Sequence, residues 1–285
     1  MILVTGATGN VGSAVVAELS ARGIPCRAFV RDPGQAAERL GPDVALAVGD
    51  FNDAASLARA MEGADAIFLS SADHPGKVGH ETAVIDVAVA AGVRKIVKAS
   101  TVAAEIGSPR PPFDWNARIE KHLRESAVES VVLQSYFYMT NLLASAETVA
   151  KRGMLIAPLG GAKIAMIDPR DTGATGAVAL TTGDYDGSTL TLSGPEAVTY
   201  DEVAKELASA IGGTVEFVPV PDEAARQSFE QMGLPAWLVT HFAHLFPFLR
   251  DGAQAQPTDT VRAVTGREPR GVATWVRDHA ALFRA

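Results

Sequence analysis

Seven residues, Gly6-Ala7-Thr8-Gly9-Asn10-Val11-Gly12, have the types and spacing needed to hold a diphosphate. Gly6 permits a tight turn out of a strand, Gly9 removes the Cβ that would block a pyrophosphate, and Gly12 lets the next helix pack closely. Free N–H groups at Asn10, Val11 and Gly12, aligned with the helix dipole, give the anion donors and partial positive charge, with Thr8 in the same turn. Tight turns use glycine without any ligand too. The place of this turn, between a strand and a helix, makes it a dinucleotide pattern.

The residues that follow the second strand choose the dinucleotide. An acidic residue there binds the ribose hydroxyls of NAD, whereas an arginine accepts the 2′-phosphate of NADP. Arg31 and Asp32 stand side by side. Asp32 precedes Pro33 and fits as the cap of the next helix, which leaves Arg31 for the phosphate. NADP(H) is the expected cofactor, with NAD(H) second. Asp50 and Phe51 offer a carboxylate for the adenine amino group and a face beside the base; a strand-end cap and a core phenylalanine are the plainer reading. Ser70, Ser71 and Ser100 end later strands, where short hydroxyls approach the ribose and nicotinamide.

These residues need a frame of alternating strands and helices. Short β-branched runs at 2–4, 26–30, 44–48, 66–69, 95–99 and 130–133 read as strands, and 11–22, 54–62, 82–91 and 114–125 as helices. Strands apolar at nearly every position are buried on both faces, so the expected architecture is α/β, a Rossmann-type doubly wound parallel sheet. A smaller α/β C-terminal lobe follows. Residues 1–150 are the expected dinucleotide-binding domain and 151–285 a mainly substrate-facing lobe, with the chain free to cross back. Thr199 to Glu202 has capping-box spacing, Gly212 ends that helix, 214–220 reads as a strand and 275–283 as a closing helix.

Gly6-x-x-Gly9-x-x-Gly12, Val30-Arg31-Asp32, Gly49-Asp50-Phe51 and Ala91-Gly92-Val93-Arg94-Lys95 followed by Ala99-Ser100 resemble the NmrA-like branch of the atypical short-chain dehydrogenases/reductases. Segment 114–123 and the run Gln134-Ser135-Tyr136-Phe137-Tyr138 are most similar to NADPH-dependent quinone reductases. The resemblance implies an NADP-binding domain, a lobe closing a substrate cleft, and Ser135 to Tyr138 beside the nicotinamide. Short-chain reductases use a Tyr-x-x-x-Lys pair to protonate a carbonyl as hydride arrives. The matching positions here are Pro112 and Asn116. A quinone needs no such acid, since its reduced anion takes protons from water. The expected activity is therefore hydride transfer from NADPH to a quinone-like or other planar carbonyl substrate. A non-catalytic NADP-responsive regulator acting on a protein partner is the alternative, and a biosynthetic reductase or isomerase a third.

Asn116, Tyr136 and Tyr138 are the candidates for contact with the substrate. The bland reading fits other residues better. His74 beside a Pro-Gly turn reads as solvated, and His241 and His244 as core or surface histidines. Without acidic partners at ligand spacing, no metal is expected. Asp171 reads as a helix cap, Cys26 as a small strand residue, and the run 242–249 as either a pocket wall or lobe packing.

With 285 residues, 47% hydrophobic and 20% charged, the chain can bury a large core. A net charge of −8 gives nucleic acid or anionic membranes little to hold. One cysteine excludes an internal disulfide, and neither a basic leader nor an unbroken apolar span is read, so the expected location is cytoplasmic. The expected partner is a small molecule.

Overall fold

The computed structural model describes residues 1–284. Strands β1 (Ile2–Val4), β2 (Cys26–Val30), β3 (Ala45–Val48), β4 (Ala66–Leu69), β5 (Lys95–Thr101) and β6 (Glu129–Ser135) alternate with α1 (Asn10–Ala21), α2 (Pro33–Leu40), α3 (Ala54–Met61), α4 (Lys77–Ala90) and α5 (Pro111–Glu125). A 3₁₀ segment, Met139–Ser145, leads into α6 (Ala146–Arg152), then β7 (Met154–Ala157), α7 (Pro169–Thr181), β8 (Thr189–Leu192), α8 (Tyr200–Ile211) and β9 (Glu216–Pro219). Four helices follow: α9 (Asp222–Gln231), α10 (Ala236–Arg250), α11 (Thr260–Thr265) and α12 (Val272–His279).

The large sheet has the order β3-β2-β1-β4-β5-β6-β8, all parallel. The order reverses between β1 and β4, so a crevice opens outside their carboxyl ends. Helices cover both faces. Leu3, Ile67, Ile96 and Val132 pack with α3 and α4 on one side, while Val4, Phe68, Val97 and Leu133 pack with α1 and α7 on the other. Full burial on both faces is the physical reason these strands lack a polar side.

The second half of the chain does not stay in one lobe. β7 and β9 pair in a small parallel sheet, and with α8, α12 and the ring of Trp275 they enclose a separate core. Between them, β8 returns to the edge of the large sheet beside β6, and α7 lies against α1. Glycine makes that approach possible: a Cβ at Gly173 would stand 2.6 Å from the Ala14 Cβ. Asp168, not Asp171, caps α7, accepting from Arg170 N at 2.8 Å with Pro169 at the first position. Asp171 lies inside the helix and holds Arg270 through the Arg270 backbone N–H at 2.7 Å and an ion pair, so its reading as the cap is corrected. Cys26 is half-buried, and burial pushes its thiol pKa up.

Candidate functional site

The turn after β1 is built by contacts that only glycine allows. Gly6 has φ +58°, and a Cβ there would stand 2.7 Å from the Ser70 carbonyl oxygen. A Cβ on Gly12 would meet the Gly6 carbonyl oxygen at 2.2 Å, so this glycine seats the first turn of α1 on the end of β1 itself. Thr5 Oγ1 donates to Ser70 O at 2.9 Å and accepts from Ser70 N at 3.0 Å, tying the turn to β4 at the switch point. Helix α1 begins at Gly9 with no side-chain cap and no acidic residue in its first turn. Its leading N–H groups are therefore left for an anion.

One cavity of about 710 Å³ runs from this turn to the C-terminal lobe. The turn lines it with Gly6, Thr8, Gly9, Asn10, Val11 and Gly12; Arg31, Asp50, Phe51, Ser70 and Ser71 follow from β2, β3 and β4. Ser100, Asn116, Ser135, Tyr136, Phe137 and Tyr138 line the far end. Gly9 supplies a test of fit for a dinucleotide. A Cβ there would meet only the Gly6 carbonyl oxygen, at 3.2 Å, so on the cavity side the missing side chain leaves open space. Arg31 makes no hydrogen bond or ion pair among the described residues, because Asp32 is engaged as the cap of α2, accepting from Gly34 N and Gln35 N at 2.9 and 3.1 Å. The residues fit a phosphorylated dinucleotide.

Asp50 is not a helix cap. Its Oδ1 accepts from the backbone and side-chain nitrogens of Asn52, both at 2.8 Å, and these bonds hold its pKa below the usual carboxylate range. Phe51 packs between Phe29 and His80, with ring centroids 5.5 and 5.6 Å away. His74 is not a solvated loop histidine either: its Nε2 lies 3.1 Å from His80 Nδ1. Burial, and then His80, lower its pKa.

At the far end most hydroxyls are already committed. Ser71 Oγ donates to Glu81 Oε1 at 2.7 Å, Ser100 Oγ to Glu120 Oε1 at 2.5 Å, and Ser135 Oγ pairs with Thr172 Oγ1 at 3.1 Å. The Tyr138 phenol is buried beside Ser135 and Thr172, and burial raises its pKa. Burial also raises that of Tyr136, which has no hydrogen-bond partner among the described residues. Lys77 acts to lower Tyr138 and Asp73 to raise it, and burial outweighs both. Pro112 and Asn116 do fall in the cavity wall, and the Asn116 side chain is tied to the backbone at Pro112 by Nδ2 to O at 2.9 Å.

Sequence reasoning missed the charges under this floor. Lys77, Glu81 and Lys98 are 4%, 0% and 0% exposed. Lys77 Nζ lies 2.8 Å from Glu81 Oε1, and Lys98 Nζ 3.0 Å from Glu81 Oε2. Burial alone would raise Glu81, but the two ammonium groups hold it at about 2. A lysine inside the apolar strand Ile96-Val97-Lys98-Ala99 was the visible signal, since such a group must be paired. The opposite wall also went unread: Trp237, His241, Phe242 and Leu245 of α10 line the cavity, while Leu249 packs the lobe core. The run 242–249 therefore does both jobs. His241 packs on Phe113 at 5.9 Å, and burial lowers its pKa to about 4; His244 is exposed. Among the described residues no cluster has the makings of a metal site, and no helix is long and apolar enough to cross a membrane.

A glycine turn, a free arginine and a parallel sheet in this order are what a comparison with known proteins must explain, and one family model matches residues 1–275. The chain belongs to the NmrA-like family. An NAD(P)H azoreductase of Xenophilus azovorans is 34% identical over 285 residues, covering 100% of both chains. A (4-alkanoyl-5-oxo-2,5-dihydrofuran-3-yl)methyl phosphate reductase of Streptomyces griseus is 35% identical over 99% of both. Among solved structures, an NADPH-dependent quinone oxidoreductase of Escherichia coli complexed with NADPH superposes with a TM-score of 0.87 at 28% identity, covering 98% of this chain and 99% of that one.

Proposed function

We propose that this chain is an NADPH-dependent reductase that delivers hydride to a planar conjugated acceptor such as a quinone or an azo compound. The observation that carries the reading is the single cavity joining the glycine turn and the unpaired Arg31 to an aromatic chamber. Relatives named for azo and quinone reduction at 34% and 30% identity support the same class. A redox sensor needs only the first half of that cavity.

The main-chain amides of the turn would hold the diphosphate, and Arg31 the 2′-phosphate through paired N–H groups. When bound, the nicotinamide supplies the hydride. The side chains Phe113, Tyr136, Phe137, Trp237, His241 and Phe242 offer flat walls that exclude water and hold a ring in place. Both cavity phenols keep their protons, because burial raises the pKa of each and at Tyr138 outweighs the groups that lower it. An acceptor whose reduced anion is stabilised by conjugation suits such a chamber, since water can complete its protonation.

The test is consumption of NADPH by purified protein given a panel of quinones and azo dyes. Turnover clearly above the protein-free rate, faster with NADPH than NADH, is expected. Tight NADPH binding with no turnover on any member would overturn the enzyme in favour of the sensor.

A further inference from the structure

We propose that Lys98, which does not line the cavity, is a positioning residue that fixes Asn116 as a hydrogen-bond donor toward the bound acceptor. The proposal rests on reading the cavity as a reductase site and adds what its substrate must offer there: a lone pair on the atom that gains negative charge, such as a quinone oxygen or an azo nitrogen.

An ammonium group has three donors and no acceptor. Lys98 Nζ donates to Asn116 Oδ1 at 2.8 Å and to the Ala99 carbonyl oxygen, and pairs by charge with Glu81 Oε2 at 3.0 Å without hydrogen-bond geometry. Asn116 must therefore turn its oxygen to Lys98, because the opposite flip would set an NH₂ group against an ammonium. The carbonyl oxygen of Pro112, at 2.9 Å, then takes one Nδ2 hydrogen. No group among the described residues claims the other, although Asn116 is 5% exposed and walls the cavity. A buried amide hydrogen without a partner is costly unless a ligand supplies one.

The surrounding donors sharpen the assignment. Ser71 and Ser100 donate their hydroxyls to Glu81 and Glu120, and Ser135 and Thr172 share a hydrogen bond. Asn116 lies on α5, whose Phe113 faces His241 of α10, so its free hydrogen belongs to the substrate end rather than to the phosphate cradle. Burial lowers the Lys98 pKa and Glu81, whose carboxylate lies 3.0 Å from Nζ, opposes the change. Lysine here aligns an amide, where short-chain reductases use it on a phenol.

A double-mutant cycle of Lys98→Met and Asn116→Ala on the full chain tests this. Turnover is followed with NADPH and 1,4-benzoquinone, NADPH affinity by its fluorescence, and the Asn116 side-chain amide by hydrogen exchange in [¹⁵N]asparagine-labelled protein with NADP⁺ bound. Each single variant is expected to lose about tenfold in kcat with NADPH affinity within about twofold, and the pair to lose no more than one. In Lys98→Met the Asn116 amide is expected to exchange about tenfold faster. Losses that multiply in the double variant, or an amide whose exchange ignores Lys98→Met, overturn the proposal. Should Lys98→Met fail to fold, Glu81→Gln with Lys98→Met removes carboxylate and cation together and is read the same way. A wild type that binds NADPH but reduces no acceptor sinks the reductase reading, and the amide exchange still decides what Lys98 does.

Discussion

The two ends of the cavity are made of different material. The phosphate end is mostly backbone: Gly6, Gly9 and Gly12 bring main-chain groups close, with Arg31 the cation added there and Asp50 beside it. The reaction end is side chain: Lys77 is in the cavity wall, and Glu81, Lys98 and Glu120 lie under a floor whose Ser71 and Ser100 hydroxyls the two carboxylates have captured. A backbone site needs a few consecutive residues with the right steric freedom. A side-chain site needs partners from several elements, so here α4, β5 and α5 must all be in register before Asn116 points anywhere.

The largest effect is expected where backbone touches backbone. In Gly12→Val even the first carbon of the new side chain collides with the Gly6 carbonyl oxygen, and no rotamer relieves it. NADPH binding by calorimetry is expected to vanish, with helical circular dichroism largely kept. Binding within about tenfold of wild type would show that the turn is not a rigid cradle.

At the other end, Glu81→Leu is expected to cost about 3–5 kcal/mol in urea unfolding, because two buried ammonium groups lose the carboxylate between them. The acid response follows from the same contacts. Glu81 has a folded pKa of about 2 against 4.5 when free, so its contribution is complete above pH 4.5 and is lost as pH falls from 4.5 to 2. A Glu81→Leu curve with the wild-type slope across that window would mean the network does not carry the charge described.

The same contrast explains how much was legible in the sequence. The strands 2–4, 26–30 and 66–69 stand where periodicity puts them, and the rest differ by a few residues at their ends. Asp32 reads correctly as a cap because its partners are two and three residues away. Asp171 reads wrongly because the group it serves, Arg270, is 99 residues on and only the folded chain brings it near. The start of helix α7 is read three residues late and strand β8 escapes notice for a related reason. The Gly-Ala-Thr-Gly run of α7 looks like a poor helix until α1 lies across it, and small residues then become the condition for contact. Lys77 and Glu81 sit at i, i+4, which on a sequence is an ordinary surface pair. Only Lys98 inside an apolar strand hinted that they are buried.

Arg31→Ala sharpens the comparison by removing the exposed cation from the backbone end. Arg31 is exposed and unpaired among the described residues, so its loss leaves the fold intact. NADPH affinity is expected to fall about tenfold or more and NADH affinity to change by less than about twofold, since only NADPH carries the phosphate the guanidinium would hold. Equal losses for both coenzymes would move the 2′-phosphate elsewhere.

The smallest effect on cofactor binding belongs to His241, where the lobe closes over the reaction end. Burial holds this imidazole at about 4 against a free value of 6.5, and its Nδ1 is buried without a partner. The unfolded chain therefore binds the proton first, so this group's contribution to stability is complete above pH 6.5 and declines as pH falls toward 4. His241→Phe keeps an aromatic ring against Phe113 and Phe242 and removes the proton site. Its stability is expected to exceed that of wild type by up to about 3 kcal/mol at the acid end of the window and to match it near neutrality. NADPH affinity should not move, because the phosphate end is built without this helix. Urea midpoints at several pH values check the first statement and calorimetry the second; superimposable pH curves for the two proteins would mean that His241 is solvated in the folded chain and that α10 does not seal the chamber.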